Sequence, residues 1–139
     1  MAKDFYHKLV REALEADGWK VTHDPYSLKE WDPKWEIDLG ADRVIGAERK
    51  SVKIAVEVKS FIRQSTSYEF HAALGQYMNY IVALENIEQD RQLYMAVPLD
   101  IWTTTFQKKG IKASLEKYQV KLVIYDIETE KIVAWKASN

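Results

Sequence analysis

Asp38, Glu57 and Lys59 are the residues of this chain whose types and spacing could do chemistry. Two carboxylates brought together make a hard oxygen site suited to Mg²⁺ or Mn²⁺, and a lysine beside them can orient or deprotonate a water. In Lys53-Ile54-Ala55-Val56-Glu57-Val58-Lys59 the β-branched Ile54, Val56 and Val58 alternate with charged or small residues, the period-2 pattern of a strand with one face in a core. Glu57 and Lys59 then point the same way. Trp35, Ile37 and Leu39 alternate with Glu36 and Asp38 in the same manner, so pairing of two strands would let Asp38, Glu57 and Lys59 converge. The same pattern also describes an ordinary strand with a solvated charged face, a reading that Lys53 fits.

The elements that must position these residues follow from periodicity. Phe5, Leu9, Val10, Ala13, Leu14 and Ala16 recur at helical spacing and Gly18 supplies a stop, which predicts an amphipathic helix over 4–17. His7 lies on it as a surface or interface residue. Residues 19–23 alternate as an edge strand, ended by Asp24-Pro25. Residues 26–34 read as an irregular connection. Segments 35–39, 44–47 and 52–59 then predict a three-strand antiparallel meander with turns near Gly40 and at 49–51. Glu48 stands at a strand end there, as a turn carboxylate or a further acidic ligand.

A helix is expected over about 68–85, with Phe70, Leu74, Tyr77, Met78, Ile81 and Leu84 as its apolar stripe. Gln76 is offset from that stripe and would reach the carboxylates if the helix packs across the strands. Val56, Val58, Leu74, Met78 and Val97 are expected in one core. Residues 85–91 read as a charged connection, 92–97 as a buried central strand, 99–118 as two short helices, and 120–126 and 131–135 as final strands.

The chain of 139 residues fits a single domain, 1–139, able to bury one core without disulfides. It has no cysteine, which excludes disulfide scaffolds, zinc knuckles and thiol catalysis. With no signal-peptide core and no bilayer-length apolar run, a cytoplasmic protein without membrane association is expected. The formal net charge of −1 argues against electrostatic coating of DNA. Two local runs are nevertheless basic: Arg43 to Arg63, and Lys108 to Lys121. Either could face a phosphate backbone or simply be solvated surface.

Helix, meander, long helix, strand, helix, strand, with Asp38 on the second core strand and Glu57-Val58-Lys59 on the third, resembles the PD-(D/E)XK nuclease core. One departure is that Ile37 stands where a proline would precede the acid. That resemblance implies a restriction-endonuclease-like α/β fold, a mixed central sheet flanked by helices. It also implies Mg²⁺ or Mn²⁺ held by Asp38, Glu57 and the carbonyl of Val58, with Lys59 acting on water and Gln76 in support.

A closer resemblance runs through nearly the whole chain. The blocks Lys3-Asp4-Phe5 with His7, Asp17-Gly18-Trp19, Thr22-His23-Asp24-Pro25, Asp38-Leu39-Gly40-Ala41, Ala55 to Phe61, Ala73 to Tyr77 and Ala96-Val97-Pro98 are similar to the XisH family, excision controlling factors of the cyanobacterial fdxN element. This implies a part in site-specific DNA excision beside a recombinase, with a small XisI-type companion protein. A homodimer is the expected assembly, since duplex DNA offers two strands. Two functions follow from the resemblance: a metal-dependent DNA endonuclease, or a regulator that keeps the nuclease fold and holds DNA or protein without cutting.

Overall fold

The amphipathic stretch after the N-terminus forms α1 (Ala2–Ala16), which buries Leu9, Val10, Ala13 and Leu14. Gly18, at φ +95, ends it, while the Trp19 N–H donates to the Leu14 carbonyl at 3.0 Å. The molecule is described here from a computed structural model at residues 2–45, 47, 50–62 and 66–137. Glu48, Arg49 and Arg63, which the sequence reading drew on, lie outside the described residues.

The chain continues as β1 (Lys20–His23), β2 (Tyr26–Ser27), β3 (Glu36–Ile37), β4 (Leu39–Ile45), β5 (Lys50–Val58), α2 (Thr66–Ile87) and β6 (Arg91–Pro98). It ends with α3 (Leu99–Thr103), a 3-10 turn (Thr105–Gln107), α4 (Lys109–Lys117), β7 (Leu122–Asp126) and β8 (Lys131–Lys136). Six strands make one sheet in the order β1-β4-β5-β6-β7-β8, and β2 and β3 form a separate two-stranded sheet. The sheet is mixed: β5, β6 and β7 are parallel neighbours, with antiparallel strands on both sides. This is the α/β architecture expected, a mixed central sheet flanked by helices. No helix among the described residues is long and apolar enough to cross a membrane.

Two expectations need correction. The three-strand meander is a two-strand hairpin, because Gly40 lies inside β4, paired with Ala55, rather than at a turn. A Cβ on Gly40 would meet the Tyr26 ring at 3.0 Å and His23 at 3.1 Å, so this glycine answers close packing. The segment 35–39 is correspondingly divided, with Asp38 at a bend between β3 and β4.

The single core is also two cores. Val56 packs with Leu9, Val10, Leu14 and Tyr125 on the α1 face, whereas Ala55, Leu93 and Val97 pack with Phe70, Tyr77 and Leu84 on the α2 face. Val58 joins the first cluster and Leu74 the second, while Met78 is 42% exposed. A strand covered on both faces buries its odd and even positions alike, so the charged Glu57 is drawn into the interior with its neighbours. Leu93, 1% exposed on the face of β6 that packs with α2, is expected to cost about 2–5 kcal/mol on truncation to alanine, as measured by urea titration. Ile127, 39% exposed, should be near neutral in the same urea titration.

Candidate functional site

The bend at Asp38 and the end of β5 hold one another through their backbones. The Asp38 N–H donates to Glu57 Oε1 at 3.1 Å, and the Val58 N–H donates to Asp38 Oδ2 at 2.8 Å. The register that pairs Leu39 with Val56 makes this exchange possible, since it places Asp38 alongside Glu57. Asp38, Glu57 and Lys59 converge as the spacing suggested. Lys59 Nζ lies 3.4 Å from Glu57 Oε2 and donates to Gln76 Oε1 at 2.5 Å. Gln76 Nε2 in turn donates to the Tyr80 hydroxyl at 2.9 Å.

Gln76 reaches the site because the odd positions of β5 face α2. The same packing that buries Ala55 against the helix therefore aims Glu57 and Lys59 at it. The Lys59 backbone is fixed from two sides: its N–H donates to the Ala96 carbonyl at 2.9 Å, and its carbonyl accepts from the Tyr125 hydroxyl at 2.8 Å. The side chain is thus presented from a rigid strand end.

Glu57 is 8% exposed. Burial, and then the Asp38 charge, push its carboxyl up to about 7 against the pull of Lys59. Burial and the Glu57 charge likewise push Tyr80 up to about 12, so it remains a neutral hydroxyl. Because the folded state holds the Glu57 proton more tightly than the unfolded chain, its contribution is fully present below about pH 4.5 and is lost as pH rises through about 7. Glu57→Gln is therefore expected to flatten that slope. It should be more stable than wild type at pH 8 by up to about 3 kcal/mol in the presence of a chelator. Urea unfolding at pH 4 and pH 8 measures this, and parallel profiles for the two proteins would refute the charge conflict.

Sequence reasoning missed the residues that stand behind Asp38. His7, expected on the surface, stands beside the site: its Nε2–H donates to Asp24 Oδ1 at 2.6 Å, and its Nδ1 lies 4.0 Å from Asp38 Oδ1. Arg11 Nη1 donates to Asp24 Oδ2 at 2.6 Å. Burial opposes ionisation of Asp24, yet the hydrogen bonds from Arg11 and His7 outweigh it and hold the carboxyl below its usual range. The signal was the helical i, i+4 pair of His7 and Arg11, but nothing local ties it to the turn at Asp24. Tyr80 carried a similar signal, four residues beyond Gln76 on α2.

Glu48 lies outside the described residues, and among those described no group of three or more His, Asp or Glu is arranged to hold a metal ion. The oxygen donors assembled are the carboxylates of Asp38 and Glu57. Val58 enters through its N–H bond to Asp38.

A helix-flanked mixed sheet makes this an α/β protein, and its polar cluster lies at the carboxyl end of a parallel strand, where open α/β sheets characteristically bind ligands. The family model described as XisH protein matches residues 1–133, and the chain belongs to the XisH family. An XisH family protein from Nostoc punctiforme PCC 73102 is similar in structure, with 42% identity, a TM-score of 0.81, and coverage of 94% of this chain and 97% of that one. An fdxN element excision controlling factor protein from Anabaena variabilis is also 42% identical, with a TM-score of 0.82 and coverage of 95% and 98%. No curated protein matches.

Proposed function

We propose that this chain acts in DNA excision as a Mg²⁺- or Mn²⁺-dependent endonuclease-like protein with a restriction-endonuclease-like core, working beside a site-specific recombinase and an XisI-type companion. The observation that carries this reading is the reciprocal clamp of Asp38 and Glu57 with Lys59 against them. Burial, and then the charge of Asp38, oppose ionisation of Glu57, so the pair resists carrying two negative charges without a further cation. A divalent cation that keeps several of its waters would supply that charge. Asp38 and Glu57 would hold the ion. In an extended strand the N–H and C=O of one residue face the same side, and with the Val58 N–H bonded to Asp38 the Val58 carbonyl would supply a third donor. The neighbouring Nδ1 of His7 is a further available donor.

When bound, the metal supplies Lewis acidity to a phosphate and acidifies a water. Lys59 then stabilises the negative charge that develops on the phosphoryl oxygens, from a position set by Gln76 and Tyr80. The relative from Anabaena variabilis, described as an fdxN element excision controlling factor, supports a DNA substrate. Phe106 packs on Phe61 just beyond Lys59, at a centroid distance of 5.3 Å, which brings the exposed Lys108 and Lys109 to the site end of the sheet. They would contact the backbone phosphates.

The second reading, a regulator that grips DNA without cutting it, is favoured by the net charge of −1 and by the description of that relative as a controlling factor. Calorimetry with Mn²⁺ and cleavage assays separate the two. Wild type should bind the ion and gain thermal stability from it, Glu57→Gln should do neither, and wild type with its companion should nick supercoiled or branched DNA in a metal-dependent way. Metal binding without cleavage on supercoiled, linear, single-stranded and branched DNA, with and without the companion, leaves the regulator. Failure of Mn²⁺ to bind sinks the metal site itself.

A further inference from the structure

The helix that buries one face of the sheet carries almost no charge on its outer face, where the large apolar Tyr68, Met78 and Val82 stand exposed among Ala72, Asn79 and Asn86. In a chain that is 29% charged, residues 70–84 contain no Asp, Glu, Lys or Arg. The exposed residues Tyr68, His71, Gly75, Met78, Val82 and Glu85 follow one another at alternating three- and four-residue steps along α2. Tyr68 is 70% exposed, Met78 42% and Val82 47%. Three large apolar side chains exposed along one line of a helix mark a surface for packing, and this spacing is that of the seam between two packed helices.

We propose that this seam binds α2 of a second copy of the chain, antiparallel, about a twofold axis beside residues 76 and 77. Complementarity selects that occupant, because the spacing of the seam is the same in reverse and sets its smallest residue against its methionine and its tyrosine against its carboxylate. Gly75 faces Met78 of the second copy, His71 faces Val82, and Tyr68 faces Glu85. Nothing lies within 4 Å of where a Cβ of Gly75 would stand, so the glycine leaves open space for the methionine. Tyr68 of the second copy arrives over a hollow of about 430 Å³ lined in part by Met78, Val82, Glu85 and Tyr118, where its hydroxyl can donate to the Glu85 carboxylate.

Glu85 also meets the first turn of the opposite helix, whose backbone dipole favours a negative charge. A parallel arrangement would set Glu85 on Glu85 and Met78 on Met78, like charge on like and bulk on bulk. The antiparallel axis passes beside Gln76, so the two Asp38–Glu57–Lys59 clusters flank it. The association itself does not depend on what those clusters do.

Sedimentation equilibrium of the full chain should show a dimer. Met78→Glu, which places an unpaired charge in the seam, should weaken it at least about a hundredfold with an unchanged circular dichroism spectrum. The chain has no cysteine, so orientation can be read separately. An oxidised mixture of Tyr68→Cys and Glu85→Cys should give the mixed disulfide, and neither variant alone a self-crosslink. A monomeric wild type, a dimer indifferent to Met78→Glu, or self-crosslinking of Glu85→Cys would each overturn the proposal.

Discussion

Lys59→Ala is expected to lower metal-dependent DNA cleavage by about 10²–10³-fold while leaving Mn²⁺ affinity and DNA affinity in place. The lysine ammonium touches Glu57 and Gln76, and no described contact runs from its side chain to Asp38. Its removal therefore leaves both carboxylates and their backbone clamp intact. What is lost is a positive charge aimed at the place where negative charge grows in the transition state, and that loss falls on turnover rather than on the ground-state complex. Gln76→Ala should fall in the same direction by a smaller factor, because Gln76 acts only by positioning the Lys59 ammonium. Single-turnover cleavage beside Mn²⁺ calorimetry separates the effects. Loss of metal binding in Lys59→Ala would show instead that the lysine holds the carboxylates together.

Arg91→Ala is expected to destabilise the fold by about 3–5 kcal/mol, through a cluster at the opposite end of β5 from Glu57. Arg91 is 5% exposed; its Nε donates to Glu88 at 2.7 Å, and its Nη1 donates to Asp42 at 3.2 Å and to the Ile54 carbonyl at 2.9 Å. The guanidinium also lies 4.9 Å from the Tyr26 ring centroid, and the Tyr26 hydroxyl donates to Glu88 at 2.5 Å. Removing the arginine leaves a carbonyl and two carboxylates without their main cation inside a packed sheet. Arg91→Met, which fills the space, should lose less. Both should retain Mn²⁺ binding, which distinguishes a scaffold defect from a site defect.

The pH dependence of this cluster is opposite to that of Glu57. Its hydrogen bond from Arg91 holds Glu88 down to about 2, so its stabilisation is present above the unfolded value of about 4.5 and is lost as pH falls toward 2. Acid unfolding of Glu88→Gln and wild type should converge there. Persistent separation at the acid end would mean that Glu88 acts through packing instead.

Local periodicity in the sequence determined the α/β class, the long helix, and the placement of Glu57 and Lys59 on one side of their strand; the pairing of that strand with the Asp38 segment was a condition that the register of β4 on β5 met. The first three follow from side-chain alternation and helical spacing, which neighbours in sequence carry within themselves. Tertiary structure alone decided which faces were covered. Val56 and Val97 look alike as apolar strand residues, yet they serve opposite faces of the sheet because α1 and α2 pack on opposite sides. Asp38 sits at a bend rather than in a strand because Gly40 and Tyr26 fix where β4 begins. Arg91 reads as part of a charged connection, and becomes a buried anchor only because Glu88, Asp42 and Tyr26 converge on it from three separate segments. His7 comes beside Asp38 through a contact spanning 31 residues, and Tyr68, Met78 and Val82 are left exposed on α2 because the sheet takes only its other face. Such contacts join segments whose local patterns are independent, so no stretch of sequence read by itself contains them.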